Sequence, residues 1–145
     1  MGFSETATTV LMVEDNSADA DMIKRILRKS DPGINIEMAK DGEEALGFIK
    51  KWEEGMPVPL VVLLDLKLPK VDGLEVLAAL KKHERFRVLP VVVLTSSNEL
   101  RDIQHAYEIG ANSYILKAID FDQFSQAVTM IYRYWCALNI YPEQY

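Results

Sequence analysis

Five short strand-like runs, each followed by a stretch with apolar residues at helical spacing, predict an α/β fold. The expected form is a doubly wound parallel sheet of five βα units with helices on both faces and strand order 2-1-3-4-5. Three observations carry that reading. Thr9-Val10-Leu11-Met12-Val13, Leu60-Val61-Val62-Leu63-Leu64 and Val91-Val92-Val93-Leu94 are continuously apolar, as strands buried on both faces are. Strand and helix patterns alternate along the whole chain. Four of the runs end in a polar or charged group at the carboxyl edge, where open α/β sheets hold their ligands.

The elements follow in order. After Glu14 the first helix buries Met22, Ile23, Ile26 and Leu27, and Asp31-Pro32-Gly33 stops it. Ile34-Asn35-Ile36-Glu37-Met38 alternates as a strand. Asp41 with Glu44 resembles a capping box for a helix whose inner face is Ala45, Phe48, Ile49 and Trp52. Residues 53–59 are rich in turn formers and form a loop. A third helix begins near Gly73 and turns Leu74, Leu77 and Leu80 inward. Ser96 and Glu99 are the expected caps of a fourth helix ending near Gly110. The fifth covers 121–138, with Phe124, Val128, Ile131 and Trp135 on one face.

The chain of 145 residues is long enough for one domain with a sizeable core, and 49% of its residues are hydrophobic. The core is expected over about 8–138, with a short tail at 139–145 and no room there for an output domain. With 22 acidic and 16 basic residues the net charge is -6, and no basic run suits a nucleic acid backbone. Cys136 is the single cysteine, so neither an internal disulfide nor a cysteine zinc site is available, and a reducing cytoplasm is the simplest location. No apolar stretch approaches the roughly 20 residues of a membrane span. Met1-Gly2-Phe3-Ser4-Glu5-Thr6 lacks a signal-peptide profile and meets only the permissive myristoylation pattern, which is read as a chance match.

The strand ends carry the chemistry. Glu14-Asp15, Asp65, Thr95 and Lys117 end four strands at one edge: an acidic pair, a carboxylate, a hydroxyl and an ammonium. A lone strand-end Asp is ordinarily a turn residue, but this ordered set makes chemical sense together. Two carboxylates about 5 Å apart repel by roughly 3 kcal/mol at an effective dielectric near 20. A hard divalent ion relieves the conflict, and Mg²⁺ commonly binds one or two carboxylates together with waters and a phosphate. Asp65 is then a carboxylate nucleophile able to accept a phosphoryl group. Lys117 and Thr95 supply a point charge and a donor for the phosphoryl oxygens.

These residues sit in motifs that resemble those of the CheY-like receiver domain of bacterial response regulators: Val13-Glu14-Asp15-Asn16, the segment from Leu64-Asp65-Leu66-Lys67 to Asp72-Gly73, Val93-Leu94-Thr95-Ser96 and Tyr114-Ile115-Leu116-Lys117. The resemblance covers about 8–138 and implies a flavodoxin-like fold. It implies that Asp65 is the phosphoacceptor and that Asp15, Asp65 and the Lys67 backbone carbonyl hold Mg²⁺, with Glu14 acting through water. Thr95 would be the switch hydroxyl and Tyr114 the aromatic that moves with it. The donor would be a sensor histidine kinase or a phosphotransfer protein. Leu66-Lys67-Leu68-Pro69-Lys70, the segment 81–90 and Phe121-Asp122-Gln123-Phe124 are similar to those of stand-alone receivers serving phytochrome-type kinases. The face of helix four, strand five and helix five would change partner, and is a candidate homodimer surface.

The chain departs from the family after Lys117, where Ala118 replaces the usual proline. A cis bond there would cost roughly 2.5–4 kcal/mol, so either that strain is held or the bond is trans and the loop before Asp120 takes another path. A degenerate receiver that never takes phosphoryl is a further possibility, but all five site residues are present and only the Lys117-Ala118 step favours it.

Two rival classes are weaker. A haloacid-dehalogenase-like phosphatase would also use Asp65 as nucleophile, but it needs a second Asp two residues on, where Lys67 stands. A nucleotide-binding Rossmann-type protein needs a glycine-rich turn where the chain has Glu14-Asp15-Asn16-Ser17. Elsewhere, His83 and His105 are expected on solvated helix faces. Trp52 and Trp135 are expected in the core, and Cys136 as a small buried apolar residue. Tyr107, Tyr132 and Tyr134 are divided between core and an exposed aromatic face.

Overall fold

The computed structural model describes residues 8–142. Ten elements alternate: β1 (Thr9–Val13), α1 (Ser17–Ser30), β2 (Asn35–Ala39), α2 (Gly42–Glu53), β3 (Val61–Leu64), α3 (Gly73–Lys82), β4 (Val91–Thr95), α4 (Leu100–Ile109), β5 (Ser113–Leu116) and α5 (Phe121–Ile131). A 3₁₀ turn, Phe86–Val88, precedes β4, and a π-helical segment, Tyr132–Leu138, continues α5. The sheet is parallel throughout with order β2-β1-β3-β4-β5, the doubly wound arrangement expected. The myristoylation pattern lies outside the described residues.

Alternation along each strand splits the core into two layers. Leu11, Val13, Val62, Leu64, Val91 and Val93 face Ala45, Phe48, Ile49 and Trp52 of α2 and Val76, Leu77 and Leu80 of α3. Val10, Met12, Val61, Leu63, Val92 and Leu94 face Ile23, Ile26 and Leu27 of α1 and Phe124, Val128 and Ile131 of α5. Burying one such aliphatic side chain contributes about 1.5–3 kcal/mol, so these two layers hold the strand ends in place. Met22, Leu74 and Trp135 are only half-buried at the margins of the layers.

Helix ends explain where the chain turns. Asn16 caps α1 by accepting from Asp19 N at 3.0 Å, and Asp31 closes it with its backbone N–H on Leu27 O. At α2 the Asp41 carboxylate accepts from Glu44 N at 2.8 Å, while Glu44 reaches back to Lys40 N at 2.8 Å, a capping box displaced by one residue. The expected caps of α4 are corrected. Glu99 holds the N-cap position without a side-chain capping bond, Ser96 does not cap, and Ser97 instead donates to Asp102.

His83 is also corrected. It is no solvated helix residue: it ends α3, its Nδ1 accepts from Arg85 N at 3.0 Å and Phe86 N at 3.3 Å, and its ring stacks on Phe86 at 4.3 Å. His105 is exposed, as expected. Tyr107 and Tyr134 are exposed, whereas Tyr132 is half-buried and donates to Asp31 Oδ2 at 3.0 Å. Cys136 is half-buried against the α1–α5 layer, where burial pushes its thiol up to about 11. No helix among the described residues is long and apolar enough to cross a membrane.

Candidate functional site

The sheet register brings the strand ends together. Val13 pairs with Leu64, so Glu14 and Asp65 emerge side by side; Leu64 pairs with Val93 and Thr95 with Leu116, which sets Thr95 and Lys117 on the other flank. The ladder continues past the strands through Glu14 N to Ala39 O, Asp65 N to Val13 O and Lys117 N to Thr95 O, at 3.0, 3.0 and 2.8 Å. The backbone of each residue is therefore fixed by the sheet before its side chain does anything.

Glu14, Asp65 and Thr95 are buried, and Asp15 is exposed at the rim. Carboxylate oxygens of Glu14, Asp15 and Asp65 lie within 4.8 Å of one another. Lys117 Nζ enters this cluster, 2.6 Å from Glu14 Oε1, 2.9 Å from Asp19 Oδ2 and 3.1 Å from Asp65 Oδ2. The peptide bond to Ala118 is trans, since there is no cis bond among the described residues. Asp120, in an extended conformation, then caps α5 with its side-chain carboxylate, which accepts from Gln123 N at 3.2 Å. The replacement of proline therefore leaves Lys117 facing Asp65.

Below the acceptor, the loop 66–72 is held by close packing. Gly73 N donates to Leu66 O at 3.0 Å, and a Cβ on Gly73 would overlap the Asp65 carbonyl and Leu66 Cα. Lys67 N donates to Asp65 Oδ1 at 3.2 Å, which folds the loop back onto the carboxylate. Lys70 takes a left-handed φ of 67°, the strained conformation that loops at sites often hold.

Electrostatics divide the two buried acids. Burial drives Glu14 up to about 7, with the charge of Asp65 adding to it and the Lys117 hydrogen bond opposing. Burial also acts on Asp65, but the Thr95 hydroxyl, the Lys117 charge and the Lys67 N–H outweigh it and leave its carboxyl below the usual value. Lys117 is raised despite its burial, because Glu14 and Asp19 bond to it and Asp65 and Glu14 attract it. The pocket therefore presents an ionised Asp65 beside a charged ammonium.

The donor set is all oxygen, anionic and partly buried, which fits a hard divalent cation better than a soft one. Three neighbours, Asp19, Ser97 and Asp102, were not singled out from the sequence. Asp19 adds a carboxylate to Lys117; its four-residue spacing from Asp15, across the start of α1, was the available signal. Ser97 and Asp102 bond to each other at 2.5 Å, and Tyr114 Oη donates to Ser97 O at 2.8 Å. Nothing in their spacing marks them.

The chain belongs to the response regulator receiver domain family, whose model matches residues 10–129. It is 41% identical over 140 residues to the probable methanogenesis regulatory protein FilR2 of Methanothrix harundinacea, covering 96% of this chain and 90% of that protein. It is 34% identical to the response regulator Rcp1 of Synechocystis, over 91% of each. The Mn(2+)-bound form of Rcp1 superposes with a TM-score of 0.86, over 93% of this chain and 99% of that one. The phosphorylated cyanobacterial phytochrome response regulator RcpA superposes with a TM-score of 0.89 at 34% identity, over 95% of this chain and 100% of that one. The chain is thus homologous to response regulators of two-component systems, whose receivers act as phosphoacceptor switches.

Proposed function

We propose that Asp65 accepts a phosphoryl group from a sensor histidine kinase, with Mg²⁺ held at the acidic cluster, and that the modified chain changes partner through the face of α4, β5 and α5. One observation carries the reading: the Lys117 ammonium stands 3.1 Å from Asp65 Oδ2, within a cluster whose other members are Glu14 and Asp15. Asp15, Asp65 and the Lys67 carbonyl would hold the metal directly and Glu14 through water. When bound, it offsets the charge of the carboxylates and of the incoming phosphoryl oxygens.

The chain's own residues do the rest. An Asp65 carboxylate oxygen attacks phosphorus; the new P–O bond forms as the bond from phosphorus to the donor imidazole breaks, and that nitrogen keeps the electron pair. The Lys117 ammonium and the Thr95 hydroxyl meet the equatorial oxygens as charge spreads over them. The modified residue carries roughly -1.5 to -2 charges by analogy with phosphoserine. That draws Thr95 toward the site and moves Tyr114, whose hydroxyl bonds the β4–α4 loop at Ser97 O. The chain catalyses its own phosphorylation and slow dephosphorylation, and no turnover of a separate substrate.

A phytochrome-type kinase is the donor that the likeness to RcpA supports. Phosphotransfer from purified candidate kinases, phytochrome-type among them, tests this: rapid labelling by that class against slow labelling by others is the expected result, and equal slow labelling by all rejects it.

A further inference from the structure

We infer that Asp102 is a positioning residue: from the first turn of α4 it holds the Lys67 ammonium off Asp65 and so sets how quickly a phosphoryl group there is lost, an inference that rests on Asp65 being the acceptor. Lys67 has two attachments. Its backbone N–H donates to Asp65 Oδ1 at 3.2 Å, while its ammonium lies 3.5 Å from Asp102 Oδ2. Asp102 is buried, an unusual setting for an acid on a helix, and it receives the Ser97 hydroxyl at 2.5 Å. Ser97 N is in turn 3.4 Å from Thr95 Oγ1, and Ser97 O takes the Tyr114 hydroxyl. A single carboxylate thus ties the loop after the acceptor to the β4–α4 loop that follows Thr95.

The Lys67 side chain is largely exposed and flexible, starts two residues from Asp65, and can reach oxygens of a group attached there. A phosphoryl group with nearly two charges competes with the single charge of Asp102 for that ammonium. Loss of the phosphoryl group needs water to approach phosphorus opposite Asp65: the water oxygen bonds to phosphorus, the P–Oδ bond breaks, and Asp65 recovers its carboxylate as inorganic phosphate leaves with both of the water's protons. An ammonium seated on the phosphoryl oxygens crowds that approach. Asp102, by keeping the ammonium on α4, leaves the path open.

The test is a double-mutant cycle of wild type, Asp102→Asn, Lys67→Met and the double variant. Each is labelled with acetyl phosphate and Mg²⁺, desalted, and followed by intact mass. Asp102→Asn is expected to slow phosphoryl loss by about threefold to fivefold, the ratio that a partly exposed ion pair can set, and the double variant to decay as Lys67→Met does. Decay of Asp102→Asn at the wild-type rate, or slowing that persists with Met at position 67, overturns the inference while leaving Asp65 as acceptor. A wild-type chain that takes no phosphoryl group overturns both. Should Asp102→Asn unfold, Lys67→Met decides, because its side chain is exposed: amide exchange in residues 100–103 of the unphosphorylated chain is expected to quicken, and unchanged exchange overturns the inference.

Discussion

Lys117 Nζ lies 2.6 Å from Glu14 Oε1, closer than its 3.1 Å approach to Asp65 Oδ2. The ammonium is therefore shared, and its shorter contact is with the acid that the metal would meet through water. Lys117 is the cation that keeps two buried carboxylates compatible, and under the proposed function its Asp65 contact is the one that would serve phosphoryl transfer. Lys117→Met removes both roles. Phosphoryl uptake from acetyl phosphate is expected to slow by about 100-fold or more, the usual scale for losing a preorganised charge at a developing anion. Uptake within threefold of wild type would show that Lys117 acts only on the resting cluster.

Glu14 adds a pH dependence. Its carboxyl rises to about 7 in the fold, chiefly by burial, from an ordinary 4.5. Between those values the folded chain holds a proton that the unfolded chain has released, so Glu14 makes stability fall as pH rises through that window. Divalent metal favours the carboxylate and has the opposite trend. Mg²⁺ affinity is expected to rise with pH below about 7, approaching tenfold per unit if one proton leaves per metal bound. Titration calorimetry at pH 6 and 8 in wild type and Glu14→Gln checks this, the variant giving a flatter profile. Equal slopes would mean that another group takes up the proton.

His83 makes a purely structural prediction. Its ring accepts two backbone N–H groups and stacks on Phe86, a fully buried side chain. His83→Ala is expected to lose about 1–3 kcal/mol in urea denaturation, from unsatisfied amides and lost packing, with phosphoryl uptake unchanged. A loss of uptake without a loss of stability would give His83 a role in the chemistry.

These residues also mark how far the sequence can be read. Asp65, Glu14 and Thr95 were legible because a polar residue ending an apolar run is conspicuous, and the order of the strands made their meeting a matter of topology. Lys117 was legible as a residue, but the path after it was not, since Ala118 permits more than one conformation where proline restricts them. Asp19 and Asp102 were missed because a single acid on a helix looks like any solvated charge; their cationic partners, Lys117 and Lys67, lie far away in sequence. His83 was misread for a related reason. Its role depends on where α3 stops, and no glycine or proline marks that point. The change from α5 to a π-helical turn at Tyr132 likewise leaves no mark, because aromatic residues without a breaker fit either winding.

If Asp65 is a metal-dependent phosphoacceptor, incubation with acetyl phosphate and Mg²⁺ leaves one labile phosphoryl group on wild type by intact mass, abolished by chelating the metal beforehand and absent from Asp65→Asn. An adduct of equal amount on Asp65→Asn, or none on wild type under conditions that label another receiver domain, would contradict it.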